Sequence, residues 1–205
     1  MGRREARRID RREAIIAVAH ASFLEHGYAA TTMSGIAATV GGSKATLWNY
    51  FPSKEALFEA VLDNATETYR AQLSTLLDTS IDPESTIRCF CTSFLEKVTT
   101  PEALSLQRLA QGEAGRFPEM GSAFYERGPR TTQTLLAGFI SSAMDRGLLR
   151  RDDPLRAARA LTSLCMSGCH QQLMLGRLTA PSSAMIIADA NAATDLFLRA
   201  YAPMS

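Results

Sequence analysis

A short run of residues in the first quarter of the chain carries side chains that can hydrogen-bond to phosphates and to base edges. The run begins at Lys44 and ends at Tyr50. Lys44 and Asn49 can donate to base edges or phosphate oxygens, and Thr46 can contact a thymine methyl group or a phosphate. The indole N–H of Trp48 and the hydroxyl of Tyr50 can donate to phosphate oxygens. These residue types together indicate a surface that contacts DNA.

Two short helices separated by glycines are predicted to position this run. Thr32 can cap the first helix and Ser43 the second, because a Ser or Thr side chain accepts a hydrogen bond from the free amides of a first turn. Gly41-Gly42 ends the first helix. The apolar residues that pack the two helices together are Ile36, Ala37, Val40 and Leu47. This pattern is typical of a helix-turn-helix, whose second helix enters the major groove.

Helical periodicity dominates the rest of the chain, and strand-like alternation is absent. We therefore predict an all-α fold of nine to ten helices, with three small helices, a long connecting helix and a larger C-terminal bundle. The first helix is expected from Asp10 to His26, ending at Gly27. The long fourth helix is expected from Ser53 to about Leu77.

Five longer helical patterns follow the connecting helix. The third can be interrupted by the proline of Gly128-Pro129. Their approximate ranges are 84–98, 102–113, 118–146, 154–178 and 182–202. The predicted domains are residues 1–52, a helix-turn-helix domain with a basic N-terminal arm, and residues 53–205, a helical domain for ligand binding and dimerisation.

Charge is distributed unevenly along the chain. Residues 1–54 contain eight Lys and Arg against four Asp and Glu, whereas residues 55–205 contain fourteen against seventeen. A basic segment on a slightly acidic body favours contact with a polyanion through the first part only. A flexible arm is expected to add minor-groove or backbone contacts through four arginines: Arg3, Arg4, Arg7 and Arg8.

Several other classes of function find no support in the sequence. No stretch approaches the ~20 consecutive apolar residues of a membrane helix, and no signal peptide is recognisable, so we expect a soluble cytoplasmic protein. The G-x-S-x-G, H-E-x-x-H and G-x-x-x-x-G-K-[ST] motifs are absent, so we expect neither an enzyme nor a cofactor.

The four cysteines do not have the spacing of a structural zinc site. They are Cys89, Cys91, Cys165 and Cys169. We predict no metal site and interpret these cysteines as reduced residues of a core. A redox sensor at Cys165 and Cys169 is the alternative.

Three segments together resemble a known family. Phe23–Tyr28 reads FLEHGY, Thr31–Ala37 reads TTMSGIA, and Ser43–Phe58 reads SKATLWNYFPSKEALF. Through these segments, the part of the chain from about residue 11 to residue 60 resembles the TetR family of transcriptional regulators. The resemblance implies DNA contacts, to bases or phosphates, from nine residues: Thr32, Ser34, Ser43, Lys44, Thr46, Trp48, Asn49, Tyr50 and Lys54.

Two residues depart from the family's pattern. Trp48 stands where a tyrosine is usual, which replaces a hydroxyl contact by an indole N–H. Gly42 stands where a valine is usual, which removes a small core contact from the turn. Both departures are expected to affect DNA affinity or sequence preference rather than DNA binding itself.

The second half resembles the AefR-like C-terminal domain of the same family. The segments that carry this resemblance are Gln107–Leu109, Glu113–Met120, Phe124–Pro129 and Asp152–Pro154. The resemblance implies a homodimeric repressor that a small apolar or amphipathic inducer releases from a palindromic double-stranded operator. A non-specific DNA-organising or adaptor protein is the alternative.

An inducer pocket inside the bundle is expected to combine apolar walls with a few polar groups. The candidates are Phe94, Gln107, Glu113, Phe117, Phe124, Tyr125, Met166 and His170. Each aromatic residue or methionine has ordinary core packing as the alternative. Glu113 has a solvated ion pair as its alternative, and His170 a structural role.

The last two helices are expected to form the dimer interface, as the resemblance implies. The candidates are Leu161, Leu164, Cys165, Gly168, Gln172, Met185, Ala188, Ala192 and Leu196, with Leu175 on the same face as the first five. Small residues such as Gly168 permit close helix approach. The alternative is that these stripes face the core of the monomer itself.

Overall fold

The computed structural model describes residues 2–77 and 82–203, and every regular element in these ranges is helical. The all-α prediction is confirmed. The helices are α1 (Arg3–Ala30), α2 (Met33–Val40), α3 (Lys44–Tyr50), α4 (Lys54–Leu76), α5 (Pro83–Val98), α6 (Pro101–Glu113), α7 (Pro118–Tyr125), a π-turn (Glu126–Arg130), α8 (Thr131–Asp145), α9 (Pro154–Met166), α10 (Cys169–Met174) and α11 (Ser183–Tyr201). Among the described helices, none is long and apolar enough to cross a membrane.

The chain folds into two compact units. Unit 1 comprises Met1–Glu67 and Ser105–Gly128, and unit 2 comprises Thr68–Leu104 and Pro129–Ser205. These units differ from the predicted division between residues 52 and 53. The reason is that the first part of α4, the end of α6 and α7 contribute to the same apolar core as α1–α3.

Each unit has its own core. The core of unit 1 is built around three mutually packed rings, Phe23, Tyr28 and Phe58, with ring centroids 5.3 to 5.5 Å apart. The core of unit 2 gathers apolar side chains from α4, α5, α8, α9 and α11, and includes the stacked pair Phe90 and Phe94.

The predicted helix ends around the helix-turn-helix are confirmed. The Thr32 side chain accepts a hydrogen bond from the backbone N–H of Gly35, and the Ser43 side chain accepts one from that of Thr46. Gly27 interrupts α1 with a φ of 81° and a ψ of 169°, a backbone region that is essentially restricted to glycine.

The expectation of a flexible N-terminal arm is wrong, because α1 begins at Arg3 rather than Asp10. Arginine, alanine and glutamate all favour helices, and Glu5 lies in the first turn, where the helix dipole stabilises a negative charge. Arg7 and Arg8 are exposed on this helical extension. The side chains of Arg3 and Arg4 lie outside the described part of the chain.

Two of the long predicted helices are divided. The segment 118–146 contains the π-turn around Pro129, which lacks the N–H that a continuous helix requires. The segment 154–178 is broken at Gly168, which has non-helical backbone angles. Asp189 on α11 accepts a hydrogen bond from the backbone N–H of Cys169 at 2.7 Å, which satisfies the first turn of α10.

Candidate nucleic-acid interface

The exposed side of α3 carries the side chains that are best placed to contact DNA. Leu47 is buried in the unit 1 core, whereas Lys44 and Asn49 are exposed. The Trp48 side chain is 47% exposed, an unusual position for the largest apolar residue type. Three of the predicted contact residues therefore face solvent on a short, capped helix.

The other predicted residues of α3 have additional structural contacts. The hydroxyl oxygens of Ser43 and Thr46 lie 2.8 Å apart and share a hydrogen bond at the start of the helix. Tyr50 is half-buried and packs against the unit 1 core. At the start of α2, Ser34 is exposed, and the Thr32 hydroxyl serves as the cap while lying at the surface.

Lys54 is engaged within the protein. Its Nζ donates to the backbone oxygens of Tyr28 at 2.7 Å and Thr31 at 3.2 Å. The ammonium group also lies 4.2 Å from the centre of the Tyr28 ring, a favourable cation–π distance. These contacts already satisfy much of the donor capacity of the Lys54 ammonium group. A phosphate contact by Lys54 stays a prediction.

Arg11 is a structural residue of the helix-turn-helix that the sequence did not reveal. Its guanidinium donates to the backbone oxygens of Val40 and Gly41, both at 3.2 Å, at the end of α2. A Cβ atom at residue 42 would collide with this guanidinium. The side chain of Arg11 thus occupies the space that a valine would take at Gly42, and a larger residue there would displace the guanidinium. The glycine at residue 42, where an apolar residue is usual, was the signal in the sequence that another side chain occupies this space.

Comparison with known proteins identifies the two parts of the chain. Residues 15–61 match the model of the bacterial regulatory proteins of the tetR family, and residues 85–203 match the AefR-like transcriptional repressor C-terminal domain. The chain belongs to the TetR family of transcriptional regulators. It is therefore a DNA-binding regulator, and the prediction of the family is confirmed.

Solved structures show the same fold over nearly the whole chain. A TetR-family transcriptional regulator from Mesorhizobium loti is 30% identical, with a TM-score of 0.80 over 95% of this chain and 98% of that one. The flavonoid-responsive regulator FrrA is 32% identical, with a TM-score of 0.77 over 96% of this chain and 99% of its own.

Curated relatives match over a shorter part. The nucleoid occlusion factor SlmA of Pasteurella multocida is 38% identical over 77 residues, 37% of each chain. The alignments thus span less than two fifths of the length of the curated relatives.

The predicted pocket residues are divided between the two units. Phe94, Met166 and His170 belong to unit 2, where Phe94 and His170 are buried. Burial lowers the pKa of His170. The members in unit 1 are Gln107, Glu113, Phe117, Phe124 and Tyr125. Phe117 and Phe124 pack against the unit 1 core. This agrees with ordinary core packing, which is the alternative to a pocket role for these residues.

Two members of the predicted dimer interface lie in the core of their own protomer. Leu161 and Cys165 are completely buried in unit 2. Gly168 is half-buried, and its lack of a side chain makes room for the Asp189 carboxylate of the same chain. Leu164 and Met185 are half-buried, and the exposed members are Gln172, Ala188, Ala192 and Leu196. Ile187, which is 51% exposed, was not predicted.

The cysteines are free thiols, and Cys89 alone among the four is exposed. A hydrogen bond with Cys91, together with burial, raises the pKa of Cys165. Burial and the neighbouring Asp189 raise the pKa of Cys169 to about 11. Cys165 and Cys169 are therefore protonated at neutral pH. The described residues contain no cluster of three or more metal-ligating side chains.

Proposed function

We propose that this regulator represses transcription by binding a palindromic operator as a dimer, and that a small apolar or amphipathic molecule releases it. The observation that carries the proposal is the surface of α3, where Lys44, Trp48 and Asn49 project from a capped helix. A regulator of this kind is a binding protein of the cytoplasm and not an enzyme. The exposed Ser34 and Thr32 would extend the same contact to the adjacent phosphates.

The apolar surface of unit 2 supports the dimer. Leu175, Ile187 and Leu196 are 72%, 51% and 52% exposed, and Ala188 and Ala192 lie exposed between the last two along α11. Exposed apolar patches on a monomer commonly mark association sites. A dimer contains two copies of α3, and dimeric helix-turn-helix proteins bind two half-sites about 34–36 Å apart along the duplex.

Release requires a ligand that binds the DNA-free conformation more tightly than the operator-bound one. The similarity to a flavonoid-responsive regulator, 32% identical over 96% of this chain, favours a planar molecule with polar edges. Within unit 2, Phe94 and Met166 remain our candidates for its apolar contacts, and His170 for a polar one.

A footprint on the DNA upstream of the protein's own gene tests the proposal, together with the affinity as a function of salt concentration. We expect a discrete palindromic footprint and a steep fall of log K against log salt, because several phosphates are contacted. Asn49→Ala should weaken binding about tenfold and relax the sequence preference. Weak binding that is indifferent to sequence would support the alternative of a DNA-organising protein.

The same operator duplex then provides the ligand assay. A panel of flavonoids and simpler planar phenols is titrated into the complex, and aliphatic alcohols of similar size serve as the control. Dissociation by the planar compounds alone is the expected result. Dissociation by none of them would contradict the proposed ligand class while leaving the operator result unchanged.

A further inference from the structure

The last residues of α1, from its interruption at Gly27 onward, are held by two side chains of opposite charge. We call residues 27–31, which lead into α2, the α1–α2 corner. On one side, the Glu113 carboxylate accepts hydrogen bonds from the backbone N–H groups of Tyr28 at 2.7 Å and Ala29 at 2.9 Å. On the other side, the Lys54 ammonium donates to the backbone oxygens of Tyr28 and Thr31. The corner is therefore clamped from both sides through its peptide groups.

The conformation of Gly27 makes the Glu113 contact feasible. Its backbone angles turn the chain out of the helix, so that the next two N–H groups point to one acceptor. A Cβ atom at Gly27 would lie 2.7 Å from Oε1 of Glu113. The glycine thus provides both the unusual turn and the space for the carboxylate.

The aromatic core fixes the same corner from inside. The Tyr28 side chain is 1% exposed and packs against Phe23, Phe58 and Phe117, with ring centroids 5.2 to 5.5 Å apart. Its hydroxyl donates to Glu55 at 3.3 Å. A displacement of the corner would therefore disturb a buried cluster as well as two charged contacts.

The corner leads directly into the DNA-binding helices. Thr31 is its last residue, and Thr32 is the cap of α2. The Thr31 hydroxyl donates back to the Gly27 oxygen at 2.7 Å, so the corner is hydrogen-bonded up to the residue that precedes the α2 cap. Because α2 packs against α3, the position of the corner determines the position of the α3 surface.

We propose that Glu113 is a positioning residue for operator recognition, which holds the α1–α2 corner so that α2 and α3 keep the geometry that matches the operator. The proposal rests on the proposed function only in that operator binding is its readout. It gives Glu113 a role other than orienting an inducer or forming a solvated ion pair. Charge-assisted bonds to backbone N–H groups are strong and directional, which suits such a role.

Two variants of Glu113 test the proposal. Glu113→Ala removes both acceptors, and Glu113→Gln keeps the shape but has a single neutral acceptor. Glu96→Gln, an exposed glutamate on α5, is the matched control. Hydrogen exchange of the Tyr28 and Ala29 amides is followed by NMR in the full-length protein. Affinity is measured for the footprinted operator duplex and for a scrambled duplex of the same length.

We expect amide exchange at Tyr28 and Ala29 to accelerate about tenfold or more in Glu113→Ala, and less in Glu113→Gln. Operator affinity should fall about tenfold, while affinity for the scrambled duplex and the salt dependence stay unchanged, because no phosphate contact is lost. Glu96→Gln should leave every quantity unchanged. If the alanine variant fails to fold, the glutamine variant decides.

Three results would overturn the proposal. Unchanged amide exchange would show that Glu113 is not the acceptor in solution. Faster exchange with unchanged operator affinity would show that the corner does not position α3. An equal loss on both duplexes would show that Glu113 supports DNA binding in general rather than recognition of the operator. A wild-type protein without sequence preference would instead contradict the proposed function, since that result does not involve Glu113.

Discussion

Within each of the two units of this regulator, a different kind of interaction stabilises the structure. In unit 1, charged side chains reach across the sequence to backbone groups at helix ends, as Arg11, Lys54 and Glu113 do. In unit 2, the interior is mainly apolar, and its buried polar members include Cys165 and His170, which are neutral at neutral pH. One charged side chain, Asp189, binds a backbone N–H at a helix start there, that of α10. A charged contact between helices of unit 2, from Arg88 to the α11 residues Asn191 and Asp195, lies near the surface.

This difference matches what each unit has to do. A helix that recognises DNA must be held within a fraction of an ångström, and directional hydrogen bonds to the backbone provide that precision. Apolar packing is non-directional, so a core built from it can be rearranged around a guest molecule at lower cost. The contrast predicts that substitutions in unit 1 change the geometry of the DNA-binding helices. In unit 2, it predicts that the measurable properties are the reactivity of the cysteine thiols and the titration of His170.

The largest effect is expected at the glycine of the α1–α2 corner. Gly27→Ala should lower the free energy of unfolding by about 2–4 kcal/mol, because its backbone region excludes a side chain and the new Cβ would meet Glu113. Urea denaturation measures the loss. Gly138→Ala is the control, since Gly138 lies exposed in α8 with open space around it and should gain up to about 1 kcal/mol. Equal changes in the free energy of unfolding for Gly27→Ala and Gly138→Ala would contradict a special role for the α1–α2 corner.

Thiol reactivity tests the neutral interior of unit 2. At pH 8, iodoacetamide should modify Cys89 in the native protein about a hundredfold faster than Cys91, Cys165 or Cys169, which are buried and, in the case of Cys169, have a pKa raised to about 11. Mass spectrometry after timed quenching identifies the sites. All four should react in urea. Rapid native modification of Cys165 or Cys169 would revive the redox-sensor alternative.

Salt dependence distinguishes the two roles of Lys54. Lys54→Ala should weaken operator binding about tenfold with an unchanged slope of log K against log salt, because the residue clamps the corner. Lys44→Ala is the matched variant, and it should reduce the magnitude of the slope by about 1. Both are measured on one duplex between low and physiological salt. A reduced slope for Lys54→Ala would mean that the ammonium binds a phosphate instead.

The helix-turn-helix was predictable because its signals are local. The caps Thr32 and Ser43 and the buried Leu47 lie within a few residues of the turns that they define. The side chains that clamp these helices were not predictable, since Glu113 lies 85 residues from Tyr28 and Arg11 lies 29 residues from Val40. A sequence shows such residues only as surface charges.

The same physical reason explains why the sequence did not predict the helix break at Gly168. Nothing near Gly168 marks the end of α9, because the group that satisfies the next turn is the Asp189 carboxylate on another helix. Likewise, helical spacing placed Leu161 and Cys165 on the stripe assigned to the dimer, although the core of the protomer covers them. Periodicity identifies an apolar face, but it does not identify what covers that face.

The smallest expected effect is the pH dependence that His170 contributes to unit 2. Burial lowers the pKa of His170 in the folded protein below the ordinary value, about 6.5 in the unfolded chain. The unfolded state therefore binds more protons as the pH falls below that value, and the folded state loses stability, by about 1 kcal/mol or less. His170→Asn should flatten the free energy of unfolding between pH 7 and pH 5, as measured by urea denaturation at each pH. His170→Gln should give the same flattening, since the effect comes from removing the imidazole. Parallel pH profiles for the wild type and both variants would show that this side chain is hydrated in the folded state, so that the interior of unit 2 admits charge as readily as unit 1 does.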